Sequence, residues 1–336
     1  MNRSPSYWAQ AAFDIANRLR SWSSHSSPIV RFSARATNKF ARPIFKIVGA
    51  NHTVVAHLYD HSLVTPTEHP LAPTLQAFPQ FNRPLGLAIS VIATSSDSTS
   101  ELTVIDVGAN IGDTVAIVEQ QQPDVCSYLC IEADKDLAEL CRLNHKNNSR
   151  VQVKQCFIGE EEGSLVRLED DGRANPSTKS ATEVTSGEES AYGRLVRLDS
   201  AATPFAETYG RLDLIKVDTE GYDFSVLRSG SALLRNYSPS LYFEWFPRLL
   251  TGLNEEVWDG FEYLEHLGYR YFVFFTNQGD YYCKIVTPDR LLLCSLAAVT
   301  NRGGQIEYFD VFASTSEEIC NHLVELSISA EDKAKI

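Results

Sequence analysis

The chain has 336 residues, 43% of them hydrophobic and 22% charged. That is the make-up of an ordinary soluble globular protein, long enough for one large α/β domain with an appendage or for two modest domains. Its net charge of −13 is uneven: residues 1–50 hold eight Lys or Arg against one acid, Asp14, so they carry +7 and the remainder −20. An acidic body repels phosphate, which argues against nucleic acid as a partner.

No stretch approaches the roughly 20 apolar residues that span a bilayer. The seven cysteines suit neither paired zinc ligands nor a dense disulfide scaffold, so a reducing, cytoplasmic setting is expected. Trp8, Ala12, Ile15 and Leu19 recur at helical spacing ahead of Arg20. A helix packed on the domain, a frayed tail, a transit peptide and a membrane-surface helix all remain open there. Residues 21–38 read as a linker and 45–64 as strand-like. Five prolines make 65–84 an irregular connector with short helical pieces at most, and Leu85 to Ala93 a short apolar helix. The turn-rich run 95–100 closes an N-terminal extension over residues 1–100, leaving 101–336 as the catalytic domain.

From Glu101 strands and helices alternate, as in a mostly parallel sheet with helices on both faces. Strands are expected at Leu102–Val107, Ser127–Ile131, Val151–Phe157, Leu212–Val217 and Ser240–Phe243. Helices are expected at Asp113–Gln121, Asp134–Asn144 and Glu255–Leu267, with another starting at Phe224. The polar stretch 169–192 lacks the apolar groups to offset its ordering entropy and reads as a mobile loop. Leu195–Leu198 resumes regular structure. Tyr269–Thr276 and Tyr281–Val286 flank Asn277-Gln278-Gly279-Asp280, an antiparallel hairpin at the sheet edge. A late strand at Ile306–Ala313 and a last helix at Ser316–Leu326 complete the chain.

The strand Thr103-Val104-Ile105-Asp106-Val107 runs into Gly108-Ala109-Asn110-Ile111-Gly112. Glycines belong where a backbone must turn sharply and approach a ligand without a Cβ in the way. A nicotinamide dinucleotide would require G-x-G-x-x-G. Here the spacing is G-x-x-x-G, with a carboxylate two residues before the first glycine. Asp106 repels a diphosphate and suits a cationic amino acid group, held directly or through ordered water. S-adenosylmethionine carries such a group and no phosphate. Glu132, ending the next strand, is placed to accept from both ribose hydroxyls, while Asp134 suits the N-cap of the following helix. The fourth strand ends in Asp218-Thr219-Glu220-Gly221 and the fifth brings Glu244. Carboxylates at this place act as a general base on a hydroxyl, or hold a divalent cation that lowers the hydroxyl's pKa, or simply satisfy backbone N–H groups.

Residues 104–114, 130–148, Leu198-Asp199, 213–230 and 241–247 together resemble the FkbM family of methyltransferases. There a D-V-G-A-N-x-G motif is followed by an E-x-D strand end, a Leu-Asp pair, I-K-x-D-x-E-G and a strand ending in Glu; Tyr308-Phe309-Asp310-Val311 resembles the late strand. The resemblance implies a class I (Rossmann-like) fold and O-methyl transfer from S-adenosylmethionine to a hydroxyl of a sugar, a polysaccharide or a secondary metabolite. It implies cofactor contacts from Asp106, Gly108, Asn110, Gly112, Glu132 and Asp218, with Asp218, Glu220 and Glu244 facing the chemistry. This chain has Asp223 where the family carries a second Glu, and its 169–192 loop is longer than usual. Upstream, Glu68-His69-Pro70-Leu71 resembles, in scrambled order, a segment ahead of the domain in some members. That leaves His69 as either a base at the acceptor or a loop residue. His52, His57, His61 and Asp60 fit no common metal spacing, so no metal ligand is assigned. The competing reading is a catalytically inactive binding module on the same fold, although no cofactor position is lost. Oligomeric state is not legible.

Overall fold

The structure is a computed structural model that describes residues 10–15, 17–18, 53–67, 69–95, 101–122, 125–169, 177–180, 192–253, 255–300 and 305–334. The 21–38 linker, most of the 95–100 junction and residues 170–176 and 181–191 lie outside the described residues.

Before the central sheet come a hairpin of β1 (Thr53–Leu58) and β2 (His61–Pro66), then helices α1 (Leu71–Ala77) and α2 (Arg83–Ser95). The sheet alternates with helices from β3 (Leu102–Val107) through α3 (Asp113–Gln121), β4 (Cys126–Glu132), α4 (Lys135–Asn144) and β5 (Val151–Gln155). A small second sheet follows, made of β6 (Phe157–Ile158), β7 (Leu165–Glu169), β8 (Ser177–Ser180) and β9 (Tyr192–Val196). Then come α5 (Leu198–Tyr209), β10 (Leu214–Val217), α6 (Asp223–Ser229), α7 (Ser231–Tyr237), β11 (Ser240–Trp245), α8 (Pro247–Leu250) and α9 (Asp259–His266). The hairpin β12 (Tyr271–Thr276) and β13 (Tyr281–Val286), α10 (Arg290–Thr300), β14 (Phe309–Ser314) and α11 (Glu317–Ala334) finish the chain.

The main sheet runs β13-β12-β14-β11-β10-β3-β4-β5. β3, β4, β5, β10 and β11 pair in parallel, while β14 inserts antiparallel between β11 and β12 and β13 closes the edge as an antiparallel hairpin. β3, β4, β10 and β11 are buried along their whole length, as parallel strands covered on both faces must be. One apolar core joins α5–α9 to one face through Phe205, Phe224 and Phe261; the other joins α2 and α3 to the opposite face through Leu85, Ile89 and Val115. The connections leaving β3 and β10 run to opposite sides, to β4 and to β11, which opens a crevice at their carboxyl ends.

Three points in the structure add to the sequence reading, and the first departs from it. Ser177–Ser180, expected inside a loop, forms β8 by pairing antiparallel with β7, so backbone bonds replace the apolar contacts it lacks. Leu198, the last residue of the stretch where regular structure was expected to resume, opens α5; Asp199 accepts from the N–H groups of Ala232 and Leu233 at the start of α7. Residues 53–95, whose two strands make a separate sheet, pack against the helices and turn around the central one. Asn144 of α4 donates to Val64 O and Ile111 O and accepts from Val64 N, and Leu63 packs against Ile111, Ala116, Leu137 and Leu140. Further upstream, Gln10, in the helical residues 10–15, uses both its amide oxygen and its amide nitrogen to hydrogen-bond the backbone of Val55.

Candidate active site

The turn after β3 is shaped by its surroundings before any ligand arrives. Gly108 has φ +80, and a Cβ there would lie 1.9 Å from Asp218 O. Gly112 has φ +84, and its Cβ would meet His145 Nε2 at 2.5 Å and Cys141 Sγ at 2.9 Å. His145 Nε2 donates to Gly112 O at 2.7 Å, which fixes its tautomer because a carbonyl only accepts. Between them Asn110 takes φ +49, a left-handed conformation that Asn tolerates better than most residues. Its N–H donates to Glu132 Oε2 at 2.7 Å, while Glu132 Oε1 accepts from Asp134 N at 2.8 Å. Glu132 is thus laid across the turn. Burial pushes its carboxyl up to about 7, against the pull of the two N–H donors. Asp134 caps α4 through Leu137 N, as its position implied.

His69 reaches this turn from the connector ahead of α1. Its Nδ1 accepts from Leu71 N at 3.3 Å, so the proton sits on Nε2, which donates to Asn110 Oδ1 at 3.0 Å. Burial pushes the ring down to about 4, so it is neutral near pH 7. Both nitrogens are engaged, and the ring holds Asn110 in place.

Register sets the rest. Asp106, Lys216 and Tyr242 stand abreast on β3, β10 and β11, and Glu244 of β11 lies directly opposite Asp310 of β14. Lys216 Nζ lies 3.1 Å from Asp106 Oδ1 and 3.5 Å from Asp218 Oδ2. Burial opposes the ammonium charge, but Asp106, Asp218 and Asp113 outweigh it and hold its pKa above the usual lysine range. Asp106 itself is 0% exposed. Asp223, the residue in place of the family's second Glu, accepts from Gly221 N, the Thr219 hydroxyl and Glu244 N, binding the turn after β10 to the end of β11.

These elements enclose a cavity of about 870 Å³ at the carboxyl ends of the strands. One end is lined by Gly108, Asn110, Glu132 and Asp113; the other by Glu220, Glu244, Asp310, Tyr242 and Tyr308, with Lys216 and Asp218 between. His69, Leu71, Phe81 and Leu85 form the roof, and Phe157, Val166 and Leu195 of the second sheet form a side wall. Asp106 and Gly112 stand behind the lining: the first anchors Lys216 and the second gives His145 its acceptor. The other positions singled out in the sequence, Gly108, Asn110, Glu132, Asp218, Glu220, Glu244 and His69, all open on the cavity.

At the acidic end, Glu244 is 9% exposed and its Oε2 has no hydrogen-bond partner. Burial, then Asp218, Asp223, Glu220 and Asp310, push its carboxyl well above the usual range. Loss of solvation pushes Asp310 up to about 8 and Asp113 to about 6, Lys216 pulling the other way in both. Lys216, Asp113, Tyr242, Tyr308 and Asp310 were not singled out as site residues from sequence. Lys216 stood within the I-K-x-D signal; the pairing of Asp310 with Glu244 had none. Among the described residues no group of three or more His, Cys, Asp or Glu is arranged to hold a metal ion, and no helix is long and apolar enough to cross a membrane.

A sheet in this order, with a glycine turn after its central strand and an acid closing the next, defines a class I S-adenosylmethionine-dependent methyltransferase. The sequence profile of the methyltransferase FkbM domain matches residues 106–271, and the chain belongs to that family of methyltransferases. Among curated proteins none matches the chain. Among solved structures it is similar to a methyltransferase FkbM from Methylobacillus flagellatus KT, at 14% identity over 90% of this chain and 59% of that one, with TM-score 0.38. The plantazolicin methyltransferase BpumL in complex with SAH is similar at 9% identity over 91% of this chain and 98% of that one, TM-score 0.36. A precorrin-6y C5,15-methyltransferase from Geobacter metallireducens GS-15 is similar at 12% over 69% and 86%, TM-score 0.33.

The residues present suit the donor. Each Glu132 oxygen takes one backbone N–H, leaving a second lone pair on each for two ribose hydroxyls. The cavity volume falls within the range of cofactor pockets.

Proposed function

We propose that this methyltransferase acts on oxygen, moving the methyl group to a hydroxyl of a sugar, a polysaccharide or a secondary metabolite. The observation that carries the proposal is Glu244, a buried carboxyl whose Oε2 has no partner, in the lining of the same cavity as the donor-side residues. S-adenosylmethionine, when bound, supplies a methyl group already activated by sulfonium charge. Glu132, Gly108 and Asn110 would hold the nucleoside, with His69 keeping Asn110 in place. Asp218 lies between the two halves of the cavity and would face both ligands. At the acidic end the task is a proton. An alcohol is a weak nucleophile until its O–H is engaged, and Glu244 offers a desolvated carboxyl oxygen for that role. Glu220 and Tyr308 would orient neighbouring hydroxyls of the acceptor, for carboxylates and phenols bind polyols well.

The test is transfer from methyl-labelled S-adenosylmethionine to a panel of glycans and hydroxylated metabolites, with the methyl position located by NMR. An O-methyl product supports the reading. Methylation only on nitrogen or carbon, or tight donor binding with no transfer to any acceptor, overturns it.

A further inference from the structure

Asp310 lies opposite Glu244 in the antiparallel pairing of β14 with β11, and both line the acidic end of the cavity. Side chains directly opposite in such a pair stand about 5 Å apart at Cβ, where like charges repel. Glu244 is 9% exposed and its Oε2 has no partner. The phenol of Tyr242, two residues before Glu244 on β11, hydrogen-bonds to Asp310. The other groups facing the pair are mostly acids: Asp218 and Glu220 beyond β10, and Asp223 of α6, whose oxygens are taken up by Gly221, Thr219 and Glu244 N. Tyr308 adds a second phenol, and Lys216 is the cation that reaches Asp310 through space, its ammonium already between Asp106 and Asp218. Two carboxyls so placed cannot both be ionised cheaply, and Lys216, the cation that reaches Asp310, is already shared between Asp106 and Asp218.

We infer that Glu244 and Asp310 work as one unit that holds a single proton at neutral pH, with Asp310 a positioning residue that sets when the unit accepts a second. The inference rests on the proposed transfer to a hydroxyl for its purpose, but not for its test. In that reaction the acceptor's O–H bond breaks, its proton passes to Glu244 and the proton that Glu244 already holds passes to Asp310, so the pair goes from one proton to two. The freed oxygen electron pair forms the bond to the methyl carbon as the carbon–sulfur bond breaks onto sulfur. A coupled pair titrates in two macroscopic steps that belong to neither residue alone. Burial explains the high first step and repulsion the separation of the two, as both raise the cost of a second negative charge. Tyr242 donates to Asp310, which favours the negative charge on that member and leaves Glu244 facing the cavity.

The test is infrared difference spectroscopy of the full chain saturated with S-adenosylhomocysteine, titrated from pH 6 to 9, for wild type, Glu244→Gln, Asp310→Asn and Tyr242→Phe. Wild type minus Glu244→Gln is expected to show the carbonyl stretch of a protonated carboxyl at pH 7. In Asp310→Asn the titration of that band should fall by at least about one pH unit, because the like charge opposite is gone. Tyr242→Phe should move it by a smaller amount. Asp310→Glu should return the band toward its wild-type midpoint. Unchanged binding of S-adenosylhomocysteine by calorimetry certifies each variant as folded. No Glu244-dependent band at pH 7, or a band whose titration ignores Asp310→Asn, overturns the shared proton. Loss of the proposed O-methyl transfer with the coupled band intact would instead sink the functional reading alone.

Discussion

Glu244 and Asp106 are both carboxylates on neighbouring stretches of one sheet, and they carry different duties. Each has one buried oxygen without a partner, but Glu244 lines the cavity, whereas Asp106 stands behind it with its other oxygen on Lys216. Glu244→Gln should therefore leave S-adenosylhomocysteine binding within about twofold and reduce turnover by about 10²-fold or more, the usual worth of a general base. Single-turnover transfer of a labelled methyl group, beside calorimetry, reads both. Asp106→Ala is expected to act on stability first. It leaves Lys216 buried, with the exposed Asp218 at ion-pair distance and Asp113 acting only through space, and breaking a buried pair costs about 3–5 kcal/mol. A urea titration measures that loss. Cofactor affinity should fail only as the fold does. These residues show where sequence reading stops. Strand-end acids and buried anchors look alike in one dimension, so the pairing of Asp106 with Lys216 came only with the structure. Glu132 was legible because an acid closing a strand beside a glycine turn has one place to go.

At the scale of elements, the glycine turn and the hairpin that covers it are the parts to test. Gly108→Ala would push a methyl group into Asp218 O in a left-handed backbone. It is expected to cost more than the 1–2 kcal/mol of conformational strain alone and to abolish cofactor binding. Thermal melting with and without S-adenosylhomocysteine separates the two effects. Asn144→Ala removes three hydrogen bonds that tie β2 to the turn, each worth about 0.5–1.5 kcal/mol. The urea midpoint should drop accordingly, with a larger loss of donor affinity than of stability in proportion. The parallel strands β3, β4, β10 and β11 were legible as apolar runs ending in acids. The roof was not. Residues 65–84 read as a proline-rich connector, and nothing local says that His69, Leu71 and Phe81 fold back over the carboxyl ends of strands that come later. Nor could the partner of Glu244 be read, since Asp310 arrives 66 positions further on, through an antiparallel return.

Across the whole molecule, the concentration of acids in one cavity gives stability a pH dependence. Glu132, Asp113 and Asp310 are raised to about 7, 6 and 8 in the fold, from ordinary values of 4.5, 3.8 and 3.8. Groups raised in this way bind protons more tightly when folded. Their stabilisation is complete below the unfolded values and is lost as pH climbs through the folded ones. His69, lowered from 6.5 to about 4, runs the other way and has finished contributing by its unfolded value. Between pH 6.5 and 8 the acids therefore act alone, and the melting temperature of the ligand-free protein should fall over that window. Asp310→Asn should flatten the slope; a flat wild-type curve would mean that the cavity acids are not raised together.

The glycines carry one more consequence, for how relatives of this chain are sorted. Gly108 is demanded by a carbonyl of the protein and Gly112 by a histidine and a thiol, before any nucleoside enters. A descendant that had abandoned chemistry would still need both to fold, so their survival diagnoses ancestry and says little about a working enzyme. The informative positions are those whose only employment is to face a guest, above all 244. A homologue with an alanine there and every glycine in place would be the fossil to expect.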